Sequence, residues 1–324
     1  MEELLSNYGE ITSVWFDGAC GEGPDGKKQF YDWNRYYEVI RRLQPEACIH
    51  ICGPDVRWCG NESGDTRESE WSVVPERTCE IEIITSKSQQ TDDTEFRTRK
   101  INTWDRDLGS RKILEAEQNL IWYPAEVNVS IRPGWFYREE EDEQLRSLEN
   151  LLHIYNNAVG GNAVLLLNVP PTKKGLFHEN DVQRLKEMGD SLRKTFDHNL
   201  LESASLCSDS HEEGHGIENV RKDEYNRFFK TEDGVRTSKI TLKFPEPTDI
   251  SYVVLKENIL LSQRIESFEI AAWDEDAGEE KTLYRGTTVG YNKIVRFPER
   301  KVKELCIRIT DARVCPTLSF IGVY

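Results

Sequence analysis

Up to about residue 199, short apolar runs alternate with longer segments whose apolar residues recur at helical spacing. Residues 13–18 read as a short buried strand that closes on Asp17-Gly18. A helix is expected over 30–43, with Phe30, Trp33, Tyr37, Ile40 and Leu43 on one stripe. The next strand spans 47–52 and continues through 56–61, and 71–74 is a further short apolar run. Residues 77–120 are polar and irregular, charge-rich near 86–100, and read as a long loop or insertion. A strand at 126–131 leads to a helix over 139–159 with Leu145, Leu148, Leu152 and Tyr155 as its buried stripe. The acidic run that opens this helix suits the positive end of the helix dipole. Residues 163–169 are apolar throughout, as a strand covered on both faces should be. A helix over 178–197 is expected to bury Val182, Leu185, Met188, Leu192 and Phe196.

This alternation of strand and helix argues for a parallel sheet or barrel. Beyond about residue 205 the apolar period drops to two: Ile240, Leu242, Phe244; Phe268, Ile270, Ala272; Leu305, Ile307, Ile309; Leu318, Phe320. Short strands between turns imply a β-sandwich, entered through a polar linker at 207–218. The expected organisation is α/β over residues 1–205 followed by an all-β domain over 206–324.

The length of 324 residues fits two domains. The formal net charge of −16 argues against nucleic acid and anionic membrane surfaces as partners. No apolar run approaches the roughly 18 residues that span a bilayer. The N-terminal MEELLSNYGEITSVW lacks the basic-then-apolar pattern of a signal peptide, so a cytoplasmic location is the expectation. The eight cysteines form no CxxC pair. Cys48, His50 and Cys52 would share one strand face, where a zinc site is imaginable, but small buried thiols in a core strand fit better.

Two carboxylates stand just past apolar runs. Asp17 follows Val14-Trp15-Phe16, and Glu62 follows Val56-Arg57-Trp58-Cys59-Gly60-Asn61. Glycoside hydrolysis generally uses two carboxyl groups that flank the scissile bond. In a (β/α)₈ barrel they sit at the C-terminal ends of strands. Trp15, Trp58, Trp71, Trp122 and Trp135 lie on or near expected strand ends, where indole can stack on a sugar face. Each feature has a plain structural alternative. A strand-end Asp-Gly is usually a turn, Asn-Glu-Ser-Gly is usually a loop, and each tryptophan can equally be core. Trp135, in Arg132-Pro133-Gly134-Trp135, follows a turn signal, which favours a site-facing role over that of Trp33 on a helix stripe. Asn61-Glu62-Ser63 and Asn128-Val129-Ser130 match glycosylation sequons. Both lie at expected strands and read as chance matches.

Four stretches make the chain specific: NYGEITSVWFDGACGEGPDGKKQFYDW, ICGPDVRWCGNESGDTRESEWSVVP, WYPAEVNVSIRPGWFY and GGNAVLLLNVPPTKKGL. On these the sequence resembles the α-L-fucosidases of glycoside hydrolase family 29, most closely the branch that cuts α-1,3/1,4-linked fucose. The likeness covers roughly residues 1–200 and is weaker beyond. It implies Asp17 as nucleophile and Glu62 as general acid/base of a retaining exo-fucosidase. It also implies Trp135 in the fucose subsite, with Glu126, Trp58, Arg132 and Trp15 as neighbours. No metal or organic cofactor is implied.

Members of this family carry about four barrel strands, with fucose-gripping histidines and aromatics, before the nucleophile. Here none of the six histidines precedes Asp17. The expectation is therefore the C-terminal half of a (β/α)₈ TIM-type barrel joined to a jelly-roll-like sandwich. A second chain or copy would supply the missing half, and the chain alone would bind fucose poorly. A competing reading is a non-catalytic remnant that binds carbohydrate or assembles with a partner. Within the sandwich, Trp273 and Tyr291 are candidate stacking residues, with structural roles favoured.

Overall fold

The computed structural model describes residues 1–18, 30–88, 106–274 and 278–324. Cys20 and most of the charge-rich 86–100 stretch lie outside them. The chain resolves into two compact units. One comprises residues 1–66, 72–129 and 163–168, and the other comprises 67–71, 130–162 and 169–324.

In the first unit, helix α1 (Glu2–Asn7) precedes strand β1 (Ser13–Phe16), helix α2 (Trp33–Leu43) and strand β2 (Cys48–Ile51). β1 and β2 are parallel, with Trp15 opposite His50 and Phe16 opposite Ile51. α2 begins at Asp32, whose carboxylate accepts the Arg35 backbone N–H. Trp33 and Ile40 of α2 are buried, whereas Phe30 precedes the helix and is exposed. Strand β3 (Arg57–Trp58) joins β2 through a parallel bridge between His50 and Val56. The segment 77–120 holds more structure than its polarity suggests. It follows β4 (Val73–Pro75) and carries helices α3 (Ile81–Ser88) and α4 (Arg111–Leu114) before β5 (Leu120–Trp122), which pairs antiparallel with β4. β6 (Ala125–Ser130) lies parallel to β3, and β7 (Ala163–Asn168) lies on the other side of β6. β6 is buried along its whole length. β7 was expected to be covered on both faces, yet its residues are half-exposed and Val164 is more open still.

The helix expected over 139–159 is shorter. Helix α5 (Leu148–Ala158) starts at Ser147, whose hydroxyl accepts the Asn150 N–H. The acidic run before it serves a loop instead: Glu141 accepts the Gly134 N–H and Asp142 pairs with Arg132. Its buried face is Leu151, Ile154 and Ala158, one position off the expected stripe. In helix α6 (Glu179–Phe196), Met188 is the buried member of the expected stripe, while Val182 is exposed.

The rest of the second unit is sheet-rich. Strands β8 (Ser205–Ser208), β10 (Ser238–Lys256), β11 (Ile265–Asp274), β12 (Glu279–Gly286), β13 (Lys293–Ala312) and β15 (Phe320–Val323) form one sheet. Its order is β12-β11-β13-β10-β15, with β8 also on β10. A second, two-stranded sheet pairs β9 (Phe229–Lys230) with β14 (Thr317–Leu318). The period-two residues Ile240, Leu242, Phe244, Phe268, Ile270, Leu305, Ile307 and Ile309 form one core. Each such side chain contributes about 1.5–3 kcal/mol. Trp273 and Tyr291 are exposed.

One carboxylate lies inside this core region. Glu257 is fully buried and accepts backbone N–H groups from Arg264 at 2.6 Å, Ile265 at 2.9 Å and Gly290 at 2.6 Å. It thereby ties the start of β11 to the β12–β13 turn. Burial pushes its carboxyl up from 4.5 to about 7, against the pull of the three N–H donors. The folded state then holds the proton more tightly than the unfolded chain, so stability falls as pH rises from 4.5 to 7. The expected fall is on the order of 2–3 kcal/mol. Denaturation of the native protein and of Glu257→Gln across this range should show the fall in the former and a flatter profile in the variant.

Candidate active site

Within the first unit, parallel pairing aligns the C-terminal ends of β1, β2, β3 and β6. Asp17 follows β1 directly and is exposed. Trp15, two residues earlier, stands opposite His50 of β2. Trp58 of β3 stands opposite Glu126 of β6. Glu62, four residues past β3, is half-buried.

Glu126 connects these strands. Its side chain is buried, with Oε1 accepting Trp15 Nε1–H at 2.9 Å and Oε2 meeting His50 Nδ1 at 2.6 Å. With Glu126 ionised, this second contact puts the proton on Nδ1. Two residues further along β6, Trp58 Nε1 donates to Asn128 Oδ1 at 2.7 Å. Both indoles are thus oriented by a polar bond, although Trp15 is exposed and Trp58 only half-buried.

The turn that joins β2 to β3 is tight. Ile51 has φ +68°, a backbone region costly for a β-branched residue. Its N–H donates to Val56 O at 2.9 Å. A Cβ on Gly53 would lie 2.4 Å from the Ile49 side chain, so no larger residue fits. Asp55 closes the turn, accepting Ile49 N–H at 2.7 Å and pairing with Arg41 at 2.5 Å.

Beyond β3, Asn61 shapes the loop that carries Glu62. Asn61 is fully buried; its Oδ1 accepts from Ser63 N at 3.0 Å and Ser63 Oγ at 2.6 Å, and its Nδ2 donates to Asp65 O at 3.0 Å. An asparagine so enclosed is no glycosylation acceptor. Asn128 is buried too.

Arg132 and Trp135 belong to the second unit, on the loop after β6. Trp135 is half-buried. Arg132 is buried, and its guanidinium is occupied: Nε and Nη2 donate to Asp181 at 3.0–3.1 Å, and Nη1 donates to Asp142 at 2.8 Å. Tyr137 lies 4.9 Å from the same guanidinium and its hydroxyl donates to Asp142. Burial alone raises the Asp142 carboxyl, but Arg132 and Tyr137 outweigh it and hold Asp142 below its ordinary value. Ser130 Oγ donates to Gly134 O at 2.7 Å, completing a braced loop that presents Trp135.

Sequence reasoning missed His50, Asn61, Asn128 and Asp181 as members of these networks. The zinc alternative used Cys48, His50 and Cys52. Cys48 is exposed, Cys52 is buried, and His50 is engaged by Glu126. Among the described residues no group of three or more His, Cys, Asp or Glu stands as a metal-binding cluster.

Arg132→Met leaves Asp181 buried without its cation, which should cost about 3–5 kcal/mol. Denaturant titration of the variant against the native protein measures it; a loss below about 1 kcal/mol would mean the pair is not structural.

The sequence profile of the Alpha-L-fucosidase family matches residues 1–195. Over 331 residues the chain is 33% identical to Alpha-L-fucosidase 1 of Arabidopsis thaliana, aligning over 100% of its own length and 60% of the relative's. A crystal structure from Bacteroides ovatus, of a candidate alpha-L-fucosidase, is 40% identical with a TM-score of 0.78, over 100% of this chain and 50% of that one. The family 29 fucosidase of Ruminococcus gnavus, solved in complex with fucose, is 26% identical with a TM-score of 0.81, over 100% and 63%. The chain therefore spans between half and two thirds of these relatives' lengths, and it belongs to the α-L-fucosidases of glycoside hydrolase family 29.

Proposed function

We propose that this chain carries the two catalytic carboxylates of a retaining exo-α-L-fucosidase. Residues 1–205 form the C-terminal part of a (β/α)₈ catalytic domain in this reading, and residues 206–324 form a β-sandwich that packs on it or binds glycan. The observation that carries the proposal is the parallel register of β1, β2, β3 and β6, which brings Asp17 and Glu62 past the same ends of neighbouring strands. In (β/α)₈ enzymes that end of the strands holds the chemistry.

Asp17, exposed just beyond β1, attacks the anomeric carbon of a terminal α-L-fucose. Glu62 gives its proton to the departing glycosidic oxygen. In the second step Glu62 takes a proton from water, which attacks the fucosyl–Asp17 ester and releases fucose with its configuration retained. Glu126 and His50 hold the Trp15 indole beside this path. Trp58, fixed by Asn128, and Trp135 offer apolar faces to the sugar. Arg132 acts on the subsite through the loop it braces, because its donors are already spent on Asp181 and Asp142. The preferred linkages are α-1,3 and α-1,4, on the likeness of the sequence stretches to that branch.

The test is hydrolysis of an aryl α-L-fucoside and a Lewis-type trisaccharide. It is run with these 324 residues and with the chain joined to the additional segment that its relatives carry. Asp17→Asn should abolish turnover of both substrates. Glu62→Gln should slow the trisaccharide by about 10²–10⁴-fold and an aryl fucoside with a good leaving group far less. The first-formed fucose should be the α anomer by NMR. Full activity in Asp17→Asn, or β-fucose as first product, would overturn the proposal.

A further inference from the structure

Within the second unit, the large sheet breaks its ladder where β10 meets β13. Ile250 pairs with Arg300 and Tyr252 with Arg296, so Phe297, Pro298 and Glu299 of β13 together face the single Ser251 of β10. β13 lies between β11 and β10. A central strand admits proline only at a bulge, because proline donates no ladder hydrogen bond, and Pro298 stands at this one. Bulges re-aim side chains and recur beside functional sites. Here Ser251, Tyr252, Arg296, Phe297, Pro298 and Glu299 line a cavity of about 510 Å³, a volume in the range of small-ligand sites.

The backbone around this cavity is fixed. Ser251 and Tyr252 both donate their N–H to Tyr324 O, at 2.7 and 2.8 Å, and Tyr324 N–H donates to Tyr252 O at 2.9 Å. Phe196 of α6 stands edge-on to the rings of Tyr252 and Tyr324, with centroids 5.5 and 5.1 Å apart. Phe297 is buried in the core of the sheet. Arg296, Pro298 and Glu299 are exposed, and Tyr252 is half-buried. A wall so ordered before any ligand arrives loses little freedom on binding one.

The two charges on the cavity narrow the choice of ligand. The Arg296 guanidinium lies 5.8 Å from the centre of the Tyr252 ring. Among the described residues, neither its side chain nor that of Glu299 makes a hydrogen bond or an ion pair. Elsewhere in the same sheet such charges are paired: Arg308 with Glu269 and Glu280, Arg285 with Glu269, and Lys243 with Glu304. Arg296 and Glu299 share one cavity without meeting, which leaves guanidinium donors and carboxylate acceptors open to a third group. An anion would suit Arg296 and be repelled by Glu299, and a cation would meet the reverse. Neighbouring hydroxyls of a sugar accept from the guanidinium and donate to the carboxylate at once, with no net charge. Tyr252 and Pro298 add apolar surface that suits the C–H face of a pyranose.

We infer that the β10–β13 bulge is a binding site for a neutral pyranose unit of an oligosaccharide. Arg296 and Glu299 hold the sugar hydroxyls, and Tyr252 and Pro298 meet its apolar face. A member of a glycoside hydrolase family works among oligosaccharides, which supplies ligands of this class. The inference gives the glycan-binding role of the sheet-rich region a location, and it does not depend on the roles of Asp17 and Glu62.

The test is an NMR titration of the 324-residue chain carrying Asp17→Asn, so that sugar is bound and not cleaved. The probes are a Lewis-type trisaccharide and, as an anionic sugar, glucuronate. The trisaccharide should shift the amides of Ser251, Tyr252, Arg296, Phe297 and Glu299 along one saturating curve. Arg296→Ala and Glu299→Gln should each weaken the affinity read at these amides about tenfold. Trp273→Ala, on an exposed side chain of β11, should leave it unchanged. If Arg296→Ala reshapes the bulge, the isosteric Glu299→Gln carries the same comparison. Trisaccharide shifts confined to the surroundings of Asp17 and Glu62 overturn the site, as does an affinity that neither variant alters. Shifts at the bulge with glucuronate alone overturn the neutral ligand. Absence of fucoside hydrolysis in every form of the chain overturns the reading of Asp17 and Glu62, while the titration still decides the bulge.

Discussion

Glu126 sits inside the first unit with its side chain out of water and both carboxylate oxygens taken, one by Trp15 and one by His50. Those two partners are on the directly paired strands β1 and β2, so a single carboxylate of β6 is bonded to side chains of both. A buried charge without partners is strongly destabilising, whereas one with two short bonds fixes its neighbours. The orientation of the Trp15 ring, and with it the surroundings of Asp17 two residues on, follows from this contact. Because Glu126 also stands opposite Trp58, the same residue ties the strand before Glu62 into the arrangement.

The second unit uses the same device in another form. Glu257 collects three backbone N–H groups rather than side chains, and Arg132 gathers two carboxylates and a backbone carbonyl. In each case a buried ionisable group organises a loop that has little apolar material of its own. The apolar core of β10, β11 and β13 supplies the bulk of the stabilisation, while the polar hubs decide where particular loops go. Substitutions in the core and at the hubs should consequently fail differently, the former by general loss of stability and the latter by local rearrangement.

Much of this was legible in the chain. Period-two alternation located the sheet-rich region because its strands bury one face: Ile240, Leu242 and Phe244 are buried, while Lys239 just before them and Lys243 among them are exposed. The strand end at Asp17 was legible because the apolar run stops there, whereas the strand expected over 56–61 is only Arg57–Trp58. The helix over 139–159 was misjudged because acidic residues at 139–142 look the same whether they face a helix dipole or a buried arginine. Only the partner distinguishes them, and Arg132 lies on a different segment. The stripe of α6 was misjudged for a related reason: Asp181, a charged residue, takes the buried position that periodicity assigned to its neighbour Val182. Asn61 left no signal at all, since a buried loop asparagine and an exposed one are identical in sequence.

The turn between β2 and β3 constrains how this protein can diversify. Gly53 has no room for a side chain, whereas Ile51 holds a positive-φ backbone that glycine would adopt at less cost, so the first position is closed to substitution and the second is open to glycine. The loops at 61–66 and 130–142 are each shaped by one buried polar side chain, Asn61 with Ser63 and Asp65, and Arg132 with Asp142 and Asp181. Either loop would change shape by exchange of the hub together with its partners, as a cassette rather than by drift at isolated sites.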